Sequence, residues 1–101
     1  MDNAIQTILK DFNAHRRLSN TLTRLSKLIA QQALYAFSGD VDDIRRNYDL
    51  MLDFMRRGYT DERRNDLYDE MIGKTYRLIQ NIQVELKKKD NPSYHDAAYR
   101  L

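Results

Sequence analysis

Three short patterns in this sequence could carry chemistry, and the first is Gly73-Lys74-Thr75. These residue types end the phosphate-binding loop of many nucleotide-binding proteins. That loop needs a further glycine five residues earlier and a preceding strand, so that backbone N–H groups can surround the phosphates. Tyr68 occupies the earlier position, and the flanking residues have helical spacing. We therefore expect no nucleotide site and no cofactor.

Histidines and carboxylates form the second pattern, because together they could bind a metal ion or transfer protons. The two histidines are His15 and His95, and neither follows a carboxylate by three residues, the spacing of metal ligands in helical bundles. We interpret His15 as a histidine at a helix crossing and not as a ligand or proton switch. The absence of cysteine excludes thiolate chemistry and cysteine-based zinc sites. The sequence predicts no catalytic residue and no metal site, and we expect that the protein is not an enzyme.

Paired basic residues are the third pattern, and they could contact phosphates if several lay on one face. The doublets are Arg16 and Arg17, Arg45 and Arg46, Arg56 and Arg57, and Arg63 and Arg64. However, seventeen basic residues are balanced by fifteen acidic ones, which leaves a net charge of only +2. Aspartates also lie beside most of the doublets. Nucleic-acid binding through these arginines is therefore the alternative hypothesis, and we do not expect nucleic acid to be the main partner.

The residues from Thr60 to Asp90 have the spacing of one long amphipathic helix. Apolar side chains and one threonine recur at steps of three and four: Tyr68, Ile72, Thr75, Ile79, Ile82 and Leu86. This spacing keeps them on one face of a helix, whereas a strand would place them on both faces of a sheet. Leu67, Met71 and Leu78 widen this face enough for two neighbouring helices. We expect Gly73 to let one of those helices approach closely.

Glycines mark the predicted boundaries of a shorter helix before it. At Ser38-Gly39-Asp40, we expect Gly39 to take the left-handed conformation that ends one helix and Asp40 to cap the next. The shorter helix then extends from Val41 to about Arg57, where Gly58 ends it. Its inward face is predicted to contain Val41, Ile44, Tyr48, Met51, Leu52 and Met55. Because the link to the next helix is short, the two helices should run antiparallel.

The residues from Asp2 to Phe37 contain neither proline nor glycine. Two apolar faces, rotated relative to each other, follow in this segment: Ile5, Ile8 and Phe12, then Leu18, Leu22, Leu25 and Ile29. A single straight helix of this length would extend about 54 Å at 1.5 Å per residue. The helix either breaks between residues 13 and 21, where weak helix formers cluster, or continues and packs on another chain. We favour the continuous helix.

One segment resembles a known family. The residues from Ala33 to Leu52, with a Gly-Asp turn and an aromatic residue at Tyr48, look like the middle of a tetratricopeptide repeat. The residues from Asn91 to Leu101 look like the opening of another such repeat. Ile44 and Met51 stand where the family has small residues. The resemblance covers about a third of the chain and implies a repeat-like helical scaffold that binds proteins.

Together these patterns predict an all-α protein, a single helical domain over residues 1–101. We expect an up-down-up bundle of three long helices with a short fourth C-terminal helix. Because that fourth helix stops without a cap, the chain should be the N-terminal part of a longer protein. No segment approaches the roughly 20 apolar residues of a membrane span, and we expect a cytoplasmic protein without a membrane partner.

The leading functional hypothesis is a non-catalytic protein–protein interaction or assembly module. We do not expect three such wide apolar faces to bury one another fully, so a protein partner or a second copy should cover the remainder. The predicted interaction residues lie on the first helix: Ile5, Ile8, Phe12, Leu18, Leu22 and Leu25.

Overall fold

The computed structural model describes residues 2–15, 18–56 and 62–90. These residues form four α-helices, and none of them is in a strand. The helices are α1 (Asp2–His15), α2 (Leu18–Gln31), α3 (Ser38–Arg56) and α4 (Glu62–Asp90), with a short 3₁₀ turn at Tyr35–Phe37 before α3. The prediction of an all-α protein is confirmed. The predicted fourth helix after Pro92 lies outside the described residues, as do Gly58 and Thr60.

The prediction of one continuous N-terminal helix is wrong. Helix α1 ends at His15 and α2 begins at Leu18, inside the segment where weak helix formers cluster. An ion pair joins Asp11 of α1 to Arg24 of α2, whereas thirteen residues of continuous helix would separate them by about 20 Å. Because the two apolar faces are rotated relative to each other, a straight rod could not direct both into one core. Folding α1 back against α2 and α4 buries both.

The core lies between the four helices and contains side chains from each of them. On α4, the side chains of Thr75, Ile79 and Ile82 are completely buried, and Tyr68 and Ile72 pack partly buried against the core. On α3, the buried residues are Val41, Ile44 and Met51, with Tyr48 at the edge. The apolar faces predicted for these two helices are therefore confirmed at the described positions. The Met55 side chain lies outside the described part of the chain.

The turn between α2 and α3 lies several residues before the predicted one. The Leu34 N–H donates to the Ile29 carbonyl at 2.9 Å and the Ala33 N–H to that of Ala30 at 3.4 Å, a pattern that closes the end of α2. Ala33 takes the left-handed conformation with a φ of 54°. Leu34 and Ile29 are both buried, and their burial ties the turn to the core. Gly39 instead lies in the first turn of α3, so the boundary predicted at Gly39 and Asp40 is wrong.

Replacing Ala33 by glycine should stabilise the protein. The left-handed conformation raises the free energy of a residue with a Cβ by about 1–2 kcal/mol. Glycine avoids this cost, but its greater freedom in the unfolded chain offsets about half of the gain. We expect the free energy of unfolding to rise by about 0.5–1 kcal/mol, measured by urea denaturation. Ala30→Gly, three residues earlier inside α2, should lower it by about 1 kcal/mol. A decrease for both variants would contradict the turn geometry.

Gly73 does not mediate a close helix contact. It lies exposed in the middle of α4, and no heavy atom outside its local helix backbone lies within 4 Å of the position that a Cβ would take. The prediction that Gly73 lets a neighbouring helix approach is therefore wrong, because the apolar face of α4 points to the opposite side.

Candidate interaction surface

A groove of about 350 Å³ lies between the first half of α3 and the middle of α4. Ile44 and Leu78 are buried at its floor, each only 4% exposed. Around that floor, α3 contributes Asp40 and Asp43, and α4 contributes Lys74, Arg77 and Asn81. The groove thus combines an apolar floor with charged walls, which is a common composition of protein docking sites.

Helical periodicity explains why these residues line one groove. Asp40 and Asp43 are three residues apart, and so are Lys74 and Arg77, so that each pair lies on one side of its helix. The first half of α3 and the middle of α4 therefore each present one side to the same groove.

The two walls carry opposite charge. We call Asp40 and Asp43 the acidic wall, and Lys74 and Arg77 the basic wall. Within the chain, Asp43 pairs with Arg46, and Lys74 lies 3.4 Å from a Glu70 carboxylate oxygen. Both are exposed pairs between residues three or four apart, which contribute about 0–1 kcal/mol. They can therefore be exchanged for other partners at little cost.

Two groups of the groove have no ionic partner among the described residues. Asp40 and Arg77 form no ion pair there, either with each other or with neighbouring side chains. Asp40 lies in the first turn of α3, where the helix dipole favours an anion. Arg77 is exposed on α4 with its guanidinium available to a carboxylate.

A second groove, of about 410 Å³, lies between α1 and α2. Ile8 and Leu28 lie at its floor, and Lys27 and Arg24 are at its edge. The guanidinium of Arg24 already pairs with Asp11 across the two helices. This groove offers less charge complementarity to a partner than the one between α3 and α4, because it has no opposed acidic and basic walls.

The six predicted interaction residues lie in the core of the single chain. All of them are at most 4% exposed: Ile5, Ile8, Phe12, Leu18, Leu22 and Leu25. That these residues contact a partner stays a prediction. Their side chains face the core because α1 packs against α2 and α4, and α2 packs against α3. The ring of Phe12, for example, lies 6.5 Å from that of Tyr76 on α4, centroid to centroid. A partner could reach these residues only by displacing a helix.

Of the four predicted basic doublets, only one has both side chains among the described residues. Arg45 and Arg46 are exposed on α3, and Arg46 pairs with Asp43. The remaining six arginine side chains lie outside the described part of the chain: Arg16, Arg17, Arg56, Arg57, Arg63 and Arg64. Nucleic-acid binding through these arginines therefore stays an alternative hypothesis.

The Gly73-Lys74-Thr75 pattern is part of a continuous helix. All three residues lie inside α4, where backbone N–H groups bond to carbonyls one turn earlier and are not available to phosphates. The Thr75 hydroxyl is buried and donates to the Met71 carbonyl at 2.9 Å.

Over the described residues there is also no cluster of three or more histidine, aspartate or glutamate side chains that could hold a metal ion. No described helix has both the length and the apolar character to cross a membrane.

Sequence reasoning missed the groove because it assigned Asp40 to capping and the exposed face of α4 to solvation. The signal was the charge of the residues that flank the apolar faces: two acids three residues apart on α3, and two bases three apart on α4. No family model, curated protein or solved structure matches this chain.

Proposed function

We propose that this chain is a non-catalytic helical module that binds proteins through the groove between α3 and α4. The observation that supports this proposal is the pairing of an apolar floor at Ile44 and Leu78 with opposed acidic and basic walls. Such walls fix the orientation of a polypeptide partner, because charges of the wrong sign would be desolvated without compensation. The resemblance of the segment from Ala33 to Leu52 to a tetratricopeptide repeat implies the same class of function.

The arrangement that we infer for the helices is an antiparallel bundle. The pair between Asp11 and Arg24 supports antiparallel packing of α1 on α2. The contact between Lys89, at the end of α4, and the Gln32 carbonyl, just before α3, supports the same relation between α3 and α4. An arrangement of this kind presents continuous grooves between neighbouring helices, in which an extended or helical partner segment can lie.

Nucleic-acid binding has less support. The described doublet Arg45-Arg46 lies beside Asp42, Asp43 and Asp49, and Arg46 is paired. A phosphate that approached this doublet would also be repelled by these neighbouring carboxylates, which weakens the attraction.

A photo-crosslinking amino acid placed at Asn81 tests the proposed docking groove. The native host cells would be irradiated, and the adducts digested separately with protease and with nuclease. We expect adducts to protein from Asn81, and few from the matched position Asn20, which is exposed on α2 away from this groove. The additional change Arg77→Glu should reduce the adducts from Asn81. Nuclease-sensitive adducts, or equal yields from both positions, would contradict the proposal.

A further inference from the structure

We infer that the groove between α3 and α4 binds a second copy of this chain, in a symmetric dimer held by the acidic and basic walls. This inference rests on the proposed docking function of the groove and names its occupant. Charge complementarity supports this occupant, because the surface that contains this groove is complementary to itself in one particular orientation.

Symmetry decides which walls meet. In a two-fold dimer the same surface of both copies forms the contact, and the axis lies in the plane between them. An axis parallel to α3 and α4 places the acidic wall of one copy opposite the basic wall of the other. An axis across the helices would place acidic wall against acidic wall. Electrostatics therefore select the first orientation, in which α3 of each copy lies against α4 of its partner.

The unpaired groups of the groove acquire partners in this orientation. Asp40 and Arg77 form no ion pair among the described residues of the chain, and across the dimer Arg77 of one copy faces the acidic wall of the other. The contact occurs twice because of the symmetry. Asp43 and Lys74 can exchange their weak partners within the chain for partners across the interface.

An exposed leucine extends the same surface. Leu50 is 56% exposed and lies seven residues, or about two turns, after Asp43 on the same side of α3. A second copy seated on the groove would cover it. The contact spans about 15 Å of α3 from Asp40 to Leu50, which corresponds to a small interface. We therefore expect a weak dimer that dissociates on dilution and at high salt.

Sedimentation velocity over a concentration series, at low and high salt, tests the inference with purified protein. The wild-type protein should shift from monomer to dimer as its concentration rises. Arg77→Glu and Asp40→Lys each place like charges opposite one another, so each should raise the dimer dissociation constant by about tenfold or more, equivalent to about 1.4 kcal/mol. The matched charge changes Lys27→Glu on α2 and Asp49→Lys on the other side of α3 should leave it nearly unchanged.

An equimolar mixture of the Arg77→Glu and Asp40→Lys variants provides the decisive measurement. In a mixed dimer one half of the interface is native, and in the other half the introduced lysine faces the introduced glutamate. The mixture should therefore recover dimers that neither variant forms alone, which loss of folding could not produce. Both substitutions are at exposed positions, and circular dichroism checks that each variant keeps the helix content of the wild-type protein.

Two outcomes would overturn the inference. A wild-type protein that stays monomeric at all concentrations excludes self-association, while protein adducts of a different mass from Asn81 would still support the docking function. A dimer that responds to Lys27→Glu as strongly as to Arg77→Glu would place the interface elsewhere. Adducts from Asn81 with twice the mass of the chain would support the groove function and the dimer together.

Discussion

Replacing Ile79 by alanine is expected to remove about 2–5 kcal/mol from the free energy of unfolding. Ile79 is completely buried on α4, in the core that all four helices share. The lost methylene and methyl groups leave a cavity that packed helices cannot close without moving one another. Because small domains are stable by only about 5–15 kcal/mol, this single change should bring the protein close to unfolding.

Urea denaturation followed by far-ultraviolet circular dichroism measures this effect. Val84→Ala is the matched control, since Val84 lies on the same helix but is half exposed. Because little apolar surface is buried there, and alanine favours helix, we expect the control to change the free energy of unfolding by less than about 0.5 kcal/mol. Equal effects of the two substitutions would contradict the orientation of α4.

Phe12→Ala should detach α1 from the rest of the protein. Phe12 is 2% exposed and its ring lies against Tyr76 of α4. Truncation of a buried phenylalanine costs about 3–5 kcal/mol, and a helix of fourteen residues is marginal in water without tertiary packing. We therefore expect α1 to unfold locally at a lower free energy than the remaining helices.

Hydrogen exchange resolved by segment distinguishes local unfolding of α1 from unfolding of the whole protein. Amides of α1 should lose protection in Phe12→Ala well before those of α3 and α4, and Phe12→Leu should show a smaller effect. Lys10→Ala is the control, because Lys10 is exposed on the same helix. Uniform loss of protection in all four helices would show that α1 does not open separately. Unchanged protection would contradict the packing of α1 on α4.

The groove and the core respond differently to substitution, and this difference matters for the functional tests. Asp40 and Arg77 are exposed and contribute no ion pair within the described chain. Their replacement should therefore change association far more than stability. Ile44 and Leu78, in contrast, belong both to the groove floor and to the core. Variants at these two positions would confuse binding with folding, so charge reversal at the walls is the sharper test.

How far the fold could be predicted varies along the chain. On α4, the steps of three and four from Tyr68 to Leu86 predict the buried face correctly at the described positions, since helical geometry alone determines which side chains share a face. On the N-terminal segment, the two apolar faces permitted either one helix or two. The choice depended on whether a surface existed against which α1 could fold back, and that surface belongs to α2 and to α4, the latter distant in sequence.

The position of the turn after α2 was predicted wrongly for a related reason. Local preference favours glycine in the left-handed position, and it therefore indicated Gly39. In the structure Ala33 takes that conformation, because burial of Leu34 and Ile29 on either side of the turn outweighs a local cost of about 1–2 kcal/mol. The Lys89 ammonium of α4 also donates to the Gln32 carbonyl at this turn. Neither contact is visible in the local sequence.

The amino-acid sequence by itself determined that the protein is helical and which faces of α3 and α4 are apolar. The tertiary structure alone decided that the N-terminal segment is a pair of helices, and that the six apolar residues predicted for a partner are internal. It also brought the aspartates of α3 opposite the cations of α4. The physical reason is range: periodicity and capping act over a few residues, whereas a groove exists only where helices distant in sequence pack side by side.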